Sequence, residues 1–389
     1  MSPDVVLVSP YSGPGRTQGT SGVVWYTASL ARALTDLGVS VAVVAPDDIG
    51  GIGYDDDGVQ VVRSGPIGPM ALAHAIQMAA EMGPDVVHLQ HELFLFGGVT
   101  SLVALPLAVR QMRRLTSATV TTVHQVLGVK DIRPEVMRLH GFRGPLAAAR
   151  GALNLYQRLI ASAGATIVHE QKFLEHFPDA VLISHGVESR SVPSTGQARE
   201  RLGITGEQRL VVLCFGFVAP YKGLELSLAA AANTPEILLV VAGGNHPRHR
   251  AYAERLRDQY QDVALFTGWI DDQDVTTWHA AADLALFCYP APHSSSGALA
   301  TALGHGTPFL ASEAMVDLMS LPGELAVPLV PTELSERLRC LEADRDSLAN
   351  LRQTSASIAS GRCWEDVARL HLQLYEQLSK GRLLTATGP

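Results

Sequence analysis

The sequence predicts an α/β protein built from two doubly wound domains in tandem. Short valine-rich runs without polar alternation recur from end to end, each followed by a helical pattern, as parallel strands covered on both faces by helices should read. At 389 residues the chain is longer than one hydrophobic core usually serves, since a domain takes roughly 100–200 residues. The runs also fall into two series on either side of GVESRSVPSTGQARERLGIT at 186–205, a polar stretch with Pro, Ser and Gly that reads as a linker plus a short helix.

In the first half the expected strands are 5–9, 40–45, 86–89, 118–122, 165–168 and 180–183. In the second they are 209–215, 237–242, 264–267, 284–287, 308–311 and 325–329. The domains should therefore span 1–187 and 206–363, joined by 188–205. The residues after 363 carry a helical pattern over 364–380 that is expected to cross back onto the first domain. No repeat at a fixed period appears, which disfavours solenoids and propellers.

Composition narrows the function. Thirty Lys plus Arg against 38 Asp plus Glu give a net charge of −8, the opposite of a nucleic-acid binder. Four of the 30 cations are lysines (Lys130, Lys172, Lys222, Lys380), so a lysine is a rare choice here. The cysteines at 214, 288, 340 and 363 form no CxxC pair, which argues against a disulfide framework or zinc knuckle and for reduced thiols. The beginning of the chain lacks a signal-peptide pattern, and no run approaches about 20 uninterrupted apolar residues, so a cytoplasmic protein without a membrane span is expected.

Several loops could carry chemistry. SPYSGPGRTQGTSG at 9–22 follows the first strand and precedes a helix, and its glycines let backbone N–H groups approach an anion. Its spacing misses the dinucleotide fingerprint GxGxxG, and Val44-Ala45-Pro46 stands where a ribose-binding acid would end the second strand, so NAD binding is disfavoured. The plain alternative is a surface loop. FGFVAPYKG at 215–223 joins a strand to the helix at 224–232 and would bring the Lys222 ammonium and backbone donors onto a diphosphate; a solvated surface lysine is the alternative. TGWIDD at 267–272 follows another strand. YPAPHSSSG at 289–297 opens an apolar helix, where the serines either meet an anion or simply cap. HLQHE at 88–92 and TTVHQ at 121–125 sit at strand ends; neither is HExxH on a helix, so hydrogen bonds to a polyhydroxylated ligand fit better than a metal.

In this order, SGVVWYTASLARAL after the glycine loop, HLQHELFLFGG, TTVHQ, ISHGVE, FGFVAPYKG and TGWIDD…AAADLALFCYP…SSSGALATALGHGTPFLASE resemble the retaining glycosyltransferases of family 4, which have the GT-B fold of two Rossmann-like domains facing a cleft. The resemblance implies an acceptor domain at 1–187 and a nucleotide-sugar domain at 206–363. It implies transfer of a sugar from a nucleoside diphosphate sugar to a small-molecule or glycan acceptor, with the donor as co-substrate, no other cofactor and no metal. Lys222 would hold the diphosphate with Gly216 and Gly223. Gly268, Trp269 and Ile270 would meet the base, Ser294, Ser295, Ser296 and Gly297 the distal phosphate and sugar, and His124 a donor-sugar hydroxyl. Arg16, Gly19, Thr20 and Gly22 would close over the diphosphate or shape the acceptor pocket, with His91 and Glu92 on the acceptor side.

Two departures stand out. Phe217 occupies the place of the family's arginine, and its paired glutamates eight apart fall at His293 and Thr301. Either the site has been remodelled, with His293, the serines and Arg16 taking over contacts, or catalysis has lapsed. The rival readings are a noncatalytic nucleotide-sugar-binding partner and a nucleotide-sugar epimerase of the same fold. The Arg-rich, Lys-poor usage fits a GC-rich bacterial genome and specialised metabolism, and a homodimer is compatible with the sequence.

Overall fold

The structure, a computed structural model, describes residues 2–12, 22–46, 53–93, 95–134, 144–205, 209–247 and 249–386. The chain divides into two compact units, one of Met1–Gly186, His293–Ser295 and Trp364–Pro389, the other of Val187–Pro292 and Ser296–Cys363.

The first unit is built on an eight-stranded sheet ordered β3-β4-β2-β1-β5-β6-β7-β8. Its strands are β1 Val5–Val8, β2 Val41–Ala45, β3 Tyr54–Asp56, β4 Val59–Arg63, β5 Val86–His91, β6 Ala118–Val123, β7 Ala165–Val168 and β8 Val181–Leu182. All neighbours pair in parallel except β3 with β4. Every residue of β1, β2, β5 and β6 is buried, which is why β1 and β2 read as unbroken apolar runs, while β5 and β6 also bury His, Gln and Thr side chains. The chain moves from β1 outward to β2 and then returns to place β5 on the other side of β1, so the direction of winding switches between β1 and β5. Ligand crevices in open α/β sheets lie outside strand carboxyl ends at such a point.

The hairpin β3–β4 was not among the expected strands. Its turn is Asp57-Gly58, both in the left-handed region at φ 50° and 87°, where Asp-Gly suits a tight antiparallel connection. The helix Trp364–Ala386 belongs to this unit and packs on helix Gly22–Asp36, with Val367, Ala368, Leu374 and Tyr375 in the first core. The Trp364 ring meets Tyr26 edge-on at 5.0 Å.

The second unit carries a fully parallel six-stranded sheet ordered β11-β10-β9-β12-β13-β14. Its strands are β9 Leu210–Phe215, β10 Ile237–Ala242, β11 Ala264–Gly268, β12 Leu284–Phe287, β13 Phe309–Ser312 and β14 Ala326–Val327. Here the winding switches between β9 and β12, which brings the loops that follow those two strands side by side. The helix Thr195–Arg201 within 188–205 is capped by Ser194, whose Oγ accepts from the Gln197 N–H at 3.3 Å, and Arg199 ties it to Asp283 of this unit at 2.7 Å.

Candidate active site

In the second unit the loop after β9 folds tightly round Lys222. This side chain is 7% exposed, and its Nζ donates to the Phe215 carbonyl at 2.7 Å. Burial pulls its pKa below the ordinary lysine value. Among the described residues no carboxylate forms an ion pair with it; the Tyr289 ring lies with its centroid 5.5 Å from Nζ. Two glycines make this possible. Gly216 has φ 101°, and a Cβ there would lie 2.6 Å from Lys222 Nζ. Gly223 has φ 63° and lies against the Cys288 carbonyl at the end of β12, where any side chain would collide. Helix Leu224–Ala232 starts at that glycine, so its free N–H groups open beside the ammonium.

Phe217 points to an aromatic cluster, 5.7 Å from His246 and 5.9 Å from Trp269 by ring centroids. Its neighbour Val218 is stitched to the loop after β10 by its N–H donating to the Gly244 carbonyl at 2.9 Å. Gly244 leaves room for the Trp269 ring, since a Cβ there would lie 3.0 Å from it. The Trp269 indole N–H is buried with no hydrogen-bond partner among the described residues. Gly268 ends β11 at φ 72°, and Ile270 packs beside Phe215 and Trp278. His246 was not foreseen from the sequence; it comes from a different loop, and only the winding brings it to Phe217.

The loop after β12 splits between the two units. Ser296 stays in the second, where it caps helix Gly297–Gly304: its Oγ accepts from the Leu299 N–H at 3.2 Å and lies 3.3 Å from the Tyr289 hydroxyl. Thr301 turns its hydroxyl back to the Gly297 carbonyl at 2.9 Å. Ser296 is therefore a cap whatever else it contacts.

His293, Ser294 and Ser295 pack instead with the first unit. Ser294 bridges to Gln125, the His293 carbonyl accepts from the Val126 N–H at 2.9 Å, and His293 Nδ1 stands 3.9 Å from the Asp131 carboxylate. Burial nonetheless outweighs Asp131 and lowers the His293 pKa. Ser295 Oγ donates to Glu170 Oε1 at 2.5 Å. Glu170 follows β7, is 4% exposed, and is the one buried carboxylate among the described residues. Sequence reasoning passed over it, because an isolated His-Glu after a strand carries no spacing signal.

At the ends of β5, β6 and β7 in the first unit lies a buried histidine array. His124 meets Gln90 through Nε2 at 2.9 Å and His169 through Nδ1 at 3.3 Å, while His169 Nδ1 lies 2.8 Å from the Ile183 carbonyl. Burial holds His169 down at about 3, His91 at about 4, and His124 well below its ordinary value, so all three are neutral near pH 7. A carbonyl only accepts, so His169 carries its proton on Nδ1; His124 must then donate from Nδ1 and accept at Nε2, which requires the Gln90 amide to turn its NH2 toward it. Both nitrogens of His124 are thus occupied inside the unit. His91 accepts a partner on its other side, the Tyr156 hydroxyl at 2.9 Å, and Glu92 follows it half-buried. Gly22 begins helix Gly22–Asp36 and is exposed, whereas Arg16, Gly19 and Thr20 lie outside the described residues.

Lys222, Gly216, Phe217, Gly223, Trp269 and Ser296 thus assemble in one unit, and His91, His124, His293, Ser294 and Ser295 in the other. No group of His, Cys, Asp or Glu among the described residues is arranged to hold a metal ion. No helix among them is long and apolar enough to cross a membrane.

Residues 21–184 match the model of a glycosyl transferase 4-like domain, and residues 209–344 that of the glycosyl transferases group 1. No curated protein matches the sequence. Among solved structures, sucrose-phosphate synthase from Thermosynechococcus elongatus is similar with a TM-score of 0.78 at 20% identity, over 97% of this chain and 99% of that one. HepE from Anabaena, in complex with UDP and glucose, gives 0.68 at 20% identity, over 97% and 100%. AviGT4, a glycosyltransferase involved in avilamycin A biosynthesis, gives 0.61 at 17% identity, over 97% and 99%. At such identities these structures speak for the fold, and the domain matches for the chemistry. With a 4-like domain and a group 1 domain in succession, each on its own parallel sheet, the chain belongs to the glycosyltransferases of GT-B type.

Proposed function

We propose that the protein is a family 4, metal-independent transferase that moves a sugar from a nucleoside diphosphate sugar to a small-molecule or glycan acceptor, in specialised metabolism. The observation that carries this reading is the buried Lys222 ammonium, which has a single carbonyl as hydrogen-bond acceptor and no carboxylate among the described residues. A cation removed from water without a counter-charge costs several kcal/mol. A diphosphate supplies that counter-charge, and more of it as the glycosidic bond breaks. Lys222 and the N–H groups that open helices Leu224–Ala232 and Gly297–Gly304 then stabilise the leaving group without a divalent ion.

Phe217 replaces a diphosphate counter-charge by an aromatic face, and the unpartnered Trp269 N–H beside it offers a donor to the nucleotide base. His124 meets a donor-sugar hydroxyl in exchange for Gln90, because its other nitrogen is committed to His169. Retention of configuration is what the resemblance to family 4 implies, and AviGT4, a glycosyltransferase involved in avilamycin A biosynthesis, is a fold neighbour.

A thermal-shift screen over UDP-, GDP-, ADP- and dTDP-sugars tests the reading. A ligand that binds only the folded state raises the melting temperature, by about 2.7 kcal/mol of stability at a hundredfold excess over Kd. Silence with all four donors would remove the diphosphate assignment. Phe217, His293 and Thr301 also support a second reading, a binder that no longer turns over; a shift without donor consumption across an acceptor panel would select it.

A further inference from the structure

We infer that the first unit carries a docking face for anionic phospholipid membranes, formed by helices Leu105–Met112 and Leu146–Ala161. This inference does not depend on the transferase reading.

The two helices pack against each other in the first unit. Their inner sides are apolar and buried, through Ala108, Val109 and Met112 on one and Leu153, Tyr156 and Ile160 on the other. Their outer sides, with the turn that precedes the first, mix exposed apolar side chains with arginines. Val103 is 81% exposed, Leu107 44% and Leu155 58%. On the longer helix the exposed positions Ala147, Ala148, Gly151, Ala152 and Leu155 follow a three-and-four spacing that makes an apolar stripe, with the exposed Asn154 and Arg158 beside and within it. Exposed aliphatic side chains gathered on neighbouring helices are ordinarily covered by something.

Charge says what covers it. Between positions 93 and 169 the sequence holds nine Lys or Arg and two acids, in a chain whose net charge is −8. Arg110, Arg113 and Arg114 border a groove of about 350 Å³ together with Pro106, Val109 and Leu159. All three arginines are exposed, and among the described residues neither they nor Arg158 at the end of the second helix ion-pairs with a carboxylate. Guanidinium groups around a groove suit phosphate oxygens. Exposed aliphatic side chains between them suit acyl chains at the headgroup boundary, which a nucleic-acid surface does not offer. The buried side of the same helix reaches the strand ends: Tyr156 meets His91 at 2.9 Å, and Gln157 donates to the Leu127 carbonyl at 2.9 Å. Seating this helix on a bilayer would therefore fix how the β5 and β6 ends face the lipid.

The test is co-sedimentation of the full chain with vesicles of phosphatidylcholine alone or mixed with phosphatidylglycerol. Wild type should pellet with the mixed vesicles, remain in solution with the neutral ones, and be released by high salt. Replacing Arg110, Arg113 and Arg114 by Gln together should weaken partitioning about 100-fold. Leu107→Asn with Leu155→Asn should weaken it at every salt concentration. All five positions are exposed, so unchanged thermal melts are expected and establish that the variants are folded. Wild type that stays in solution with the anionic vesicles overturns the proposal. So does equal partitioning by the arginine variant, or retention by a single-stranded oligonucleotide in place of vesicles.

Discussion

Replacing Lys222 by Met separates the cost of this lysine from its use. Met keeps most of the length and apolar stem but removes the ammonium. In the ligand-free protein two terms oppose each other: the hydrogen bond to the Phe215 carbonyl, worth about 1.5–3 kcal/mol for a charged donor, is lost, and the several kcal/mol spent on desolvating the ion are recovered. Urea unfolding should therefore find the variant as stable as wild type or more so. Catalysis should move the other way. If the ammonium faces charge that develops on a leaving diphosphate, its removal should cost on the order of 100- to 1,000-fold in kcat/KM, measured with the nucleotide sugar that gives the largest thermal shift. The pH dependence gives an independent sign. The folded-state pKa of Lys222 lies below the ordinary 10.5, so the unfolded chain binds more protons in the interval between the two values. Wild-type stability must then rise with pH across that interval, and the Met variant must lack this rise. Turnover within about threefold of wild type would refute the electrostatic argument, as would a large loss of ligand-free stability.

Other perturbations follow from the same geometry. Gly216→Ala forces a left-handed position onto a residue with a Cβ and drives that Cβ into the lysine, so donor binding should weaken by at least about tenfold in calorimetry while the helix content holds. The buried histidines make the first unit acid-sensitive. Folded pKa values of about 4 for His91 and His371 and about 3 for His169 lie below the unfolded value near 6.5, so stability is full above 6.5 and falls progressively as pH drops toward 4 and 3; chemical denaturation at pH 7, 6, 5 and 4 should record that slope, and a flat profile would contradict the burial of these rings.

The strands were legible where burial on both faces left an apolar run, and helix Leu224–Ala232 was legible from its glycine and its composition. Three things escaped. The hairpin β3–β4 is short, and besides its Asp57-Gly58 turn only the brief alternation of Val59 and Val61 with Gln60 marks it. At 325–329 the run shrinks to Ala326–Val327, because a sheet edge needs few residues. Tyr289 beneath the ammonium, His246 beside Phe217 and Glu170 on Ser295 depend on long-range winding, which no local spacing encodes.

Glu170 bears most directly on the departures in the sequence. Neither His293 nor Thr301 is acidic, yet a buried carboxylate does reach the serine loop from β7. Its bond to Ser295 works together with the Gln125–Ser294 bridge and the Val126-to-His293 hydrogen bond to hold three consecutive residues against the first unit. Glu170 therefore acts as a positioning residue for that loop. Glu170→Gln keeps an acceptor for the Ser295 hydroxyl and discards the charge; Glu170→Ala discards both and leaves the half-buried Ser295 hydroxyl without this partner, at about 1 kcal/mol. If seating the loop is the role, Ala should raise KM for the donor about tenfold or more with a smaller change in kcat, and Gln should restore most of the loss. If Gln fails as badly as Ala and the loss falls on kcat, the charge itself is at work, and the carboxylate absent from position 293 has been supplied from a different strand.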